Sequence, residues 1–411
     1  MTDHIAFSCN GFPIASETFI AKQIYNAFSN GYELSVHCQF ANTSEDSTIH
    51  SEMVNYLLTS SVFSLSNWPE KINLRIVRAM EIVRSHHKLP ALLKSINPVK
   101  FGRSGLSLRI FRDSSTFIKS GQPDLVHAHY GPNGVKAIIA RQLGIIHCPI
   151  ITTFHGYDAH STPQNHATLA ARYRDLFIEG DRFIVNGEFL KKQLLGLGCP
   201  EEKVSIIENS IDTNFFSGES IRSLEKIRLI TVGRLVDWKN QALGIKCLKY
   251  LLDQGVDATY AIVGEGREKP RLTALTASLG IADRVHFLGN LTQEGIKDQF
   301  LQSNIFLMTS IPGPDNRQET QGIVTLEAQA ASLPVVAIDN GGIASTIVDN
   351  VTGKIVPIGN EQAYLDAVLV LAKDHEKCKA FGLSGTKFVR EKFDDSIKLC
   401  NILELYRGLI R

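Results

Sequence analysis

Two short stretches in the second half of the chain carry residue types suited to an anionic, hydroxyl-rich ligand. In VGRLVDWKN (232–240), a strand-like run ends at Gly233, which allows a tight turn, and Arg234 and Lys239 lie five residues apart before a helix. Two cations there suit a diphosphate, because a helix N-terminus adds unpaired N–H groups and the positive end of its dipole. The second stretch is ETQGIVTLE (319–327), which follows the strand-like NIFLMTS (304–310) and the Gly/Pro loop IPGPDNRQ (311–318). Glu319 is placed at the loop tip. Glu327 is placed about one turn into the next helix on the same side, where a carboxylate accepts hydrogen bonds from a ribose diol. Gly322 and its neighbours offer backbone N–H groups to an anion. Each stretch taken alone also fits a plainer account: a βα loop with two surface cations, and two acids favoured by a helix dipole.

The elements that must position these residues alternate along almost the whole chain. IAFSC (5–9), ELSVHCQF (33–40), LVHAHY (125–130), PIITTFHG (149–156) and RFIVNG (182–187) read as buried strands, with amphipathic segments such as FIAKQIYNAFSNG (19–31) between them. The rhythm restarts near residue 225 with IRLITVG (227–233), TYAIVGEG (259–266), VHFLG (285–289), NIFLMTS and PVVAID (334–339). Alternation of this kind predicts α/β architecture, parallel sheets with helices on both faces. The polar seam TNFFSGESIRSLEK (213–226) separates two doubly wound domains, 1–214 and 215–394. The last helix, 395–411, is expected to pack back on the first domain.

Composition narrows the class. With 411 residues, 44% hydrophobic, 21% charged and a net charge of +1, the chain reads as a soluble globular protein and not as a nucleic-acid binder. No uncharged apolar run of about eighteen residues predicts a spanning helix. The N-terminus has no basic region leading into an apolar one, so a cytoplasmic location is expected. Seven scattered cysteines without a C-x-x-C pair read as reduced thiols. No D-x-D follows an apolar strand, so no metal site and no cofactor is expected. Charge is uneven: residues 71–119 hold eleven Lys/Arg against two acids, a local balance of +9. Apolar residues interleave with these cations in INLRIVRAMEIV (72–83) and LSLRIF (106–111). The segment therefore fits either a solvated helical surface or a helix lying on an anionic membrane.

The order of the motifs is informative. GRLVDWKN, VGEG (263–266), FLGNL (287–291), the paired glutamates, PVVAIDNGG (334–342) and GKIVP (353–357) resemble the donor domain of glycosyltransferase family four. In the first half the likeness rests on GFPIASETFI (11–20), HAHYG (127–131), TFHGYD (153–158) and ENSID (208–212), strings similar to those of bacterial exopolysaccharide glycosyltransferases of the colanic acid and amylovoran type. The resemblance implies a GT-B fold, two Rossmann-like domains facing across a cleft. It implies retaining, metal-independent transfer of a hexose from a nucleotide-diphosphate-sugar, UDP being the expected nucleotide, to a glycan acceptor met by the N-terminal domain. The basic, apolar-interleaved segment 71–119 of that domain points to an acceptor on a polyprenyl-diphosphate lipid.

By the same resemblance, Arg234 and Lys239 bind the departing diphosphate and Glu327 the ribose. Glu319 faces the donor sugar, with N–H groups around Gly322, Ile323 and Val324 holding sugar or phosphate oxygens. Leu288 offers its backbone to the base, and Gly11 lets a loop approach the phosphates. His155 lies against the donor sugar, whereas His127 and His129 are read as packed structural residues. Departures from the family pattern include Thr320-Gln321 after the first glutamate and Ser345 after the Gly-Gly pair. A nucleotide-sugar epimerase or hydrolase, and a non-catalytic nucleotide-sugar-binding partner subunit, are the competing functions.

Overall fold

A computed structural model describes residues 2–14, 17–41, 61–65, 68–219, 222 and 225–410. Ala15 and Ser16 of the GFPIASETFI string, residues 220, 221, 223 and 224 of the polar seam, and Arg411 lie outside the described residues. The chain forms two compact units. The first comprises residues up to Asn186, Leu190–Ile207 and the chain from Leu399 onward; the second comprises Gly187–Phe189 and Glu208–Lys398.

The first unit is built on a seven-stranded parallel sheet. Its strands are β1 (His4–Ser8), β2 (Glu33–Cys38), β3 (Val62–Ser64), β4 (Leu125–His129), β5 (Ile150–Thr153), β6 (Arg182–Val185) and β7 (Val204–Ile206), in the spatial order β3-β2-β1-β4-β5-β6-β7. The strands are near-continuous apolar runs because both faces are covered. Alternate residues serve opposite faces. Ala6, Val126, Ile150 and Phe183 join one core, and Ile5, Leu125, Ile151 and Ile184 the other. The second of these cores includes Ile402, Leu403 and Tyr406 from the final helix, Asp395–Ile410.

The second unit repeats the plan with six parallel strands, β8 (Ile227–Val232), β9 (Ala258–Val263), β10 (Val285–Gly289), β11 (Ile305–Met308), β12 (Val335–Ile338) and β13 (Gly353–Val356), ordered β10-β9-β8-β11-β12-β13. Leu229, Tyr260 and Leu307 face one core, and Ile230, Ala261 and Phe306 the other. In both sheets the order reverses beside the first strand. At such a switch point the loops after two neighbouring strands part to opposite faces and open a crevice at their carboxyl ends.

The +9 segment is four helices and not one. They are α1 (Ile72–His86), α2 (Leu89–Ser95), α3 (Pro98–Leu106, kinked at Gly102) and α4 (Arg109–Lys119). Ala79, Ile82 and Val83 anchor α1 in the core. Ile76, Met80 and Arg84 follow at helical i, i+4, i+8 spacing on a face left exposed.

Candidate active site

In the second unit, the switch point lies between β8 and β11, and the two stretches singled out above follow those two strands. The β8 loop is braced by VGEG. The Gly233 N–H donates to the Val263 carbonyl (3.0 Å), that of Leu235 to Glu265 (2.9 Å), and that of Glu268 to Leu235 (3.1 Å). Gly264, with φ +128°, permits this approach, since a Cβ there would stand 2.1 Å from the Gly233 carbonyl oxygen. The order of motifs pointed to VGEG, but only the packing shows its work as a support for the cation loop.

Lys239 ends a 3-10 turn, Asp237–Lys239, just before the helix Gln241–Asp253. The chain after β11 holds that turn: Thr309 Oγ1 donates to the Lys239 carbonyl (2.8 Å), and the Ile311 N–H donates to that of Trp238 (2.9 Å). The Lys239 ammonium donates to the Glu319 carboxylate, with both side chains mostly shielded. Ser310 Oγ donates to the same Glu319 oxygen at 2.9 Å. Residues 80 positions apart in sequence thus form one charged pair at the switch point. Arg234 is exposed and has no ion-pair partner among the described residues, and Gln241 Nε2 holds its carbonyl at 3.0 Å.

Gly322, in the left-handed region at φ +81°, caps the helix Ile323–Ala330. Ile323 and Val324 therefore occupy the first turn, where an N–H lacks the carbonyl four residues back that a helix interior supplies, and the Thr325 N–H turns to the Gly322 carbonyl (2.9 Å). Glu327 falls one turn in. The Glu319 segment rests on the Gly341–Gly342 pair. The Gly342 N–H donates to the Glu319 carbonyl at 2.7 Å, and a Cβ on Gly342 would meet the Thr320 carbonyl oxygen at 1.9 Å. Gln321, 1% exposed, turns away from the helix start. Its amide bonds the backbone N–H and C=O of Asn209, both at 3.0 Å, clamping ENSID to this loop. Neither role has a signature in the residue types alone. Leu288 lies at the end of edge strand β10, where the register with β9 skips from Phe287 to Gly289. This bulge leaves the Leu288 backbone out of the ladder.

In the first unit, Gly11 is buried in a two-stranded pairing, Gly11–Phe12 with Phe40–Ala41, and the Phe40 ring fills the space of a Cβ, 2.3 Å from it. A larger residue here would have to displace that ring, which is itself 46% exposed. His155 follows β5, with its ring against Phe19 and Tyr130 at centroid distances of 4.7 and 4.6 Å. Asp158 builds its turn: the buried carboxylate accepts from the N–H groups of His155 (3.0 Å), Gly156 (2.9 Å) and Gly131 (2.9 Å). Burial nevertheless pushes this carboxyl up to about 6. His127 is fully buried, its ring nitrogens bonded to Tyr406 Oη (2.6 Å) and Thr153 Oγ1 (2.7 Å), which is the structural role expected for it.

Three buried histidines, His37, His127 and His129, and two partly exposed ones, His4 and His155, are expected to make the first unit acid-sensitive. Burial holds His37, His127 and His155 down to about 3, and lowers His4 and His129 as well. An unfolded histidine takes a proton near pH 6.5 that the folded unit refuses. Their contribution is therefore complete above about pH 6.5 and drains as pH falls toward about 3, at roughly 1.4 kcal/mol per pH unit for each proton. Asp158 opposes with one proton between about pH 4 and 6, since its folded carboxyl protonates first. The melting temperature of the first unit is expected to fall steadily from about pH 7 to about pH 5, and less steeply in His37→Gln. Identical slopes in the two proteins would contradict this account.

Comparison with known proteins agrees with the geometry. Residues 69–215 match the family model of Glycosyltransferase Family 4, and residues 212–388 that of Glycosyl transferases group 1. The chain is a glycosyltransferase of the family-four type. It is 25% identical over 410 residues to the amylovoran biosynthesis glycosyltransferase AmsK of Erwinia amylovora, covering 98% of this chain and 99% of that one. It is 27% identical to WcaL of Escherichia coli (strain K12), assigned to colanic acid biosynthesis as a glycosyltransferase, over 87% of this chain and 88% of the relative. Among solved structures, Anabaena HepE in complex with UDP and glucose superimposes with a TM-score of 0.70 at 18% identity, covering 99% of this chain and all of that one. Sucrose-phosphate synthase from Thermosynechococcus elongatus gives 0.72 at 18% identity, with 99% of each chain covered. The two parallel-sheet domains are thus those of a GT-B glycosyltransferase.

Proposed function

We propose that this glycosyltransferase moves a hexose from a UDP-sugar to a growing, polyprenyl-diphosphate-linked glycan in bacterial exopolysaccharide biosynthesis, with retention of configuration and without a metal. The observation that carries the reading is the Lys239–Glu319 pair at the β8/β11 switch point, with exposed Arg234 in the β8 loop and the N-terminal turn of Ile323–Ala330 after β11. The assignments of AmsK and WcaL support the polysaccharide setting, and the UDP bound to HepE supports the nucleotide.

In this mechanism Arg234 and Lys239 take the diphosphate, Glu327 the ribose, Leu288 the base, and Glu319 and His155 the donor sugar. Gly233 and Gly11 keep side chains clear of the phosphates. The bond from the anomeric carbon to the β-phosphate oxygen breaks while the acceptor oxygen bonds that carbon on the same face. The acceptor proton passes to the departing phosphate oxygen. The two cations and the N–H groups of Gly322, Ile323 and Val324 stabilise the charge that develops there, the largest contribution available to such a site. Glu319, tied to Lys239 and Ser310, is an electrostatic partner in this scheme and not a covalent nucleophile. UDP is expected to raise the melting temperature more than GDP or ADP does, because only a ligand bound to the folded state stabilises it. The product from an α-linked donor should be α-linked by NMR, in EDTA as without it. A β-linked product would overturn the mechanism.

The enzyme works, on this reading, peripherally at the cytoplasmic face of the membrane. Among the described residues no helix is long and apolar enough to cross a membrane. Support for a lipid surface comes from helices α1–α3. Ile76, Val77, Leu93, Val99 and Leu106 are all more than half exposed, and Val99 is 95% exposed. They stand among the exposed cations Arg84, Lys94, Lys100 and Arg103. Apolar side chains beside cations suit the headgroup region, with about 1 kcal/mol from each cation near an anionic leaflet. Arg75 is excluded from this set, because its guanidinium ties the carbonyls of Pro69 (2.9 Å) and Ser107 (3.2 Å). The protein is expected to sediment with phosphatidylserine vesicles at low salt and to release at about 1 M, where the Debye length is about 3 Å. Binding unchanged by Arg84→Gln, Lys94→Gln, Lys100→Gln and Arg103→Gln together would rule this surface out.

A further inference from the structure

We propose that His129 is a positioning residue that fixes the orientation and tautomer of His155. The inference rests on the reading that His155 meets the donor sugar. His129 is completely buried, its ring packed on His127 at a centroid distance of 4.4 Å and parallel to Phe7 at 6.2 Å. Its Nδ1 lies 3.1 Å from Nε2 of His155, while its own Nε2 is buried and has no hydrogen-bond partner among the described residues. His127 cannot supply one, because both of its ring nitrogens are engaged by Tyr406 and Thr153.

Those facts decide where the proton sits. Burial holds both imidazoles far below the usual histidine range, so each is neutral and carries one ring proton. Only one of the two facing nitrogens can donate. If His155 Nε2 were the donor, the His129 proton would have to sit on its own Nε2, an orphaned N–H in a closed interior. If His129 Nδ1 is the donor, the orphan is a bare acceptor, which proteins tolerate better than an unpaired donor. His129 therefore donates from Nδ1, and His155 accepts at Nε2 and carries its proton on Nδ1. Free imidazole side chains favour the opposite tautomer, so the arrangement is imposed by the neighbour, as a second residue often orients a working histidine.

Nitrogen-15 NMR of labelled, substrate-free enzyme tests this apart from the reading of His155, with the His155→Ala spectrum assigning the signal. The expected spectrum has His155 Nδ1 protonated and Nε2 unprotonated. His129→Ala should return His155 to the Nε2–H form, whereas His129→Asn, whose amide nitrogen falls where Nδ1 was, should preserve Nδ1–H. In turnover, His129→Ala should lower kcat by about 10- to 100-fold, the scale of a misplaced group, with KM little changed. His129→Asn should recover most of that loss, and His129→Ala should add nothing in a His155→Ala background. Nε2–H in the wild type, or equal losses in the Asn and Ala variants, would overturn the proposal. Normal turnover by His155→Ala alone would remove instead the reading on which it rests.

Discussion

Lys239→Ala is expected to stay folded and to lose turnover by roughly a hundredfold or more, the scale of removing one group that stabilises developing charge. The folding half of that statement follows from the geometry. Lys239 and Glu319 keep 17% and 11% of their side-chain surface, so the pair is not sealed from water. Glu319 also retains Ser310 Oγ when the ammonium is gone. An unpaired carboxylate with one remaining donor costs about 1–3 kcal/mol, against a total near 5–15 kcal/mol for a native protein. The catalytic half follows from the pairing itself. On the proposed mechanism, the ammonium held by Glu319 in the free enzyme turns to the diphosphate when donor binds. Glu319→Gln should therefore free Lys239, keep donor binding within a few-fold and lower kcat. Steady-state kinetics on both variants, with circular dichroism melts, check the pair of expectations. Near-normal kcat in Lys239→Ala would sink the phosphate assignment.

The second large effect is expected from a residue with no functional group. In Gly342→Ala the new methyl would need the place held by the Thr320 carbonyl, at 1.9 Å, with the Gln321 nitrogen at 3.1 Å. Neither neighbour is a flexible side chain that can swing aside, so the loop carrying Glu319 must move and the Gly342–Glu319 hydrogen bond must stretch. Overpacking of this kind costs about 1–3 kcal/mol. A shift of about 1 Å at a site built on position costs on the order of a hundredfold in rate. The expected variant melts a few degrees lower and has lost most of its kcat, while Gly408→Ala, with open space around the site of its Cβ on a helix of ordinary backbone, loses no turnover. A Gly342→Ala enzyme of normal turnover would show that the loop has room to spare.

Much of the architecture was legible in the chain because buried parallel strands are written as short apolar runs, and alternation with helices dictates the doubly wound plan. Strands β2, β4, β5, β6, β8, β10, β11 and β12 fall within runs read from the sequence alone, and β1 and β9 begin one residue before theirs. β3 and β7 are three-residue strands, too short for periodicity to announce. The charged residues of the proposed site stood out for a similar reason: Arg234, Lys239, Glu319 and Glu327 follow the ends of strands β8 and β11, and the structure brings Lys239 and Glu319 together. The basic segment was legible as charge but not as shape. Nothing in its composition separates four helices from one, or shows that Arg75 ties down backbone while Arg84 faces outward.

By itself, then, the sequence determined two α/β domains and the charged groups from which a site is proposed, because burial period and residue chemistry are local properties of the chain. Tertiary structure alone decided which groups meet. Lys239 reaches Glu319 because β8 and β11 are neighbours in space, although β9 and β10 lie between them in sequence. Gly264 and Gly342 matter because backbone from another loop occupies the space their side chains would need. His129 was read as packed and is so, but its packing leaves one nitrogen facing His155 and the other buried without a hydrogen-bond partner among the described residues. Approach of this kind depends on how the strands are ordered and how closely loops pack, and neither is encoded in the spacing of residues along the chain.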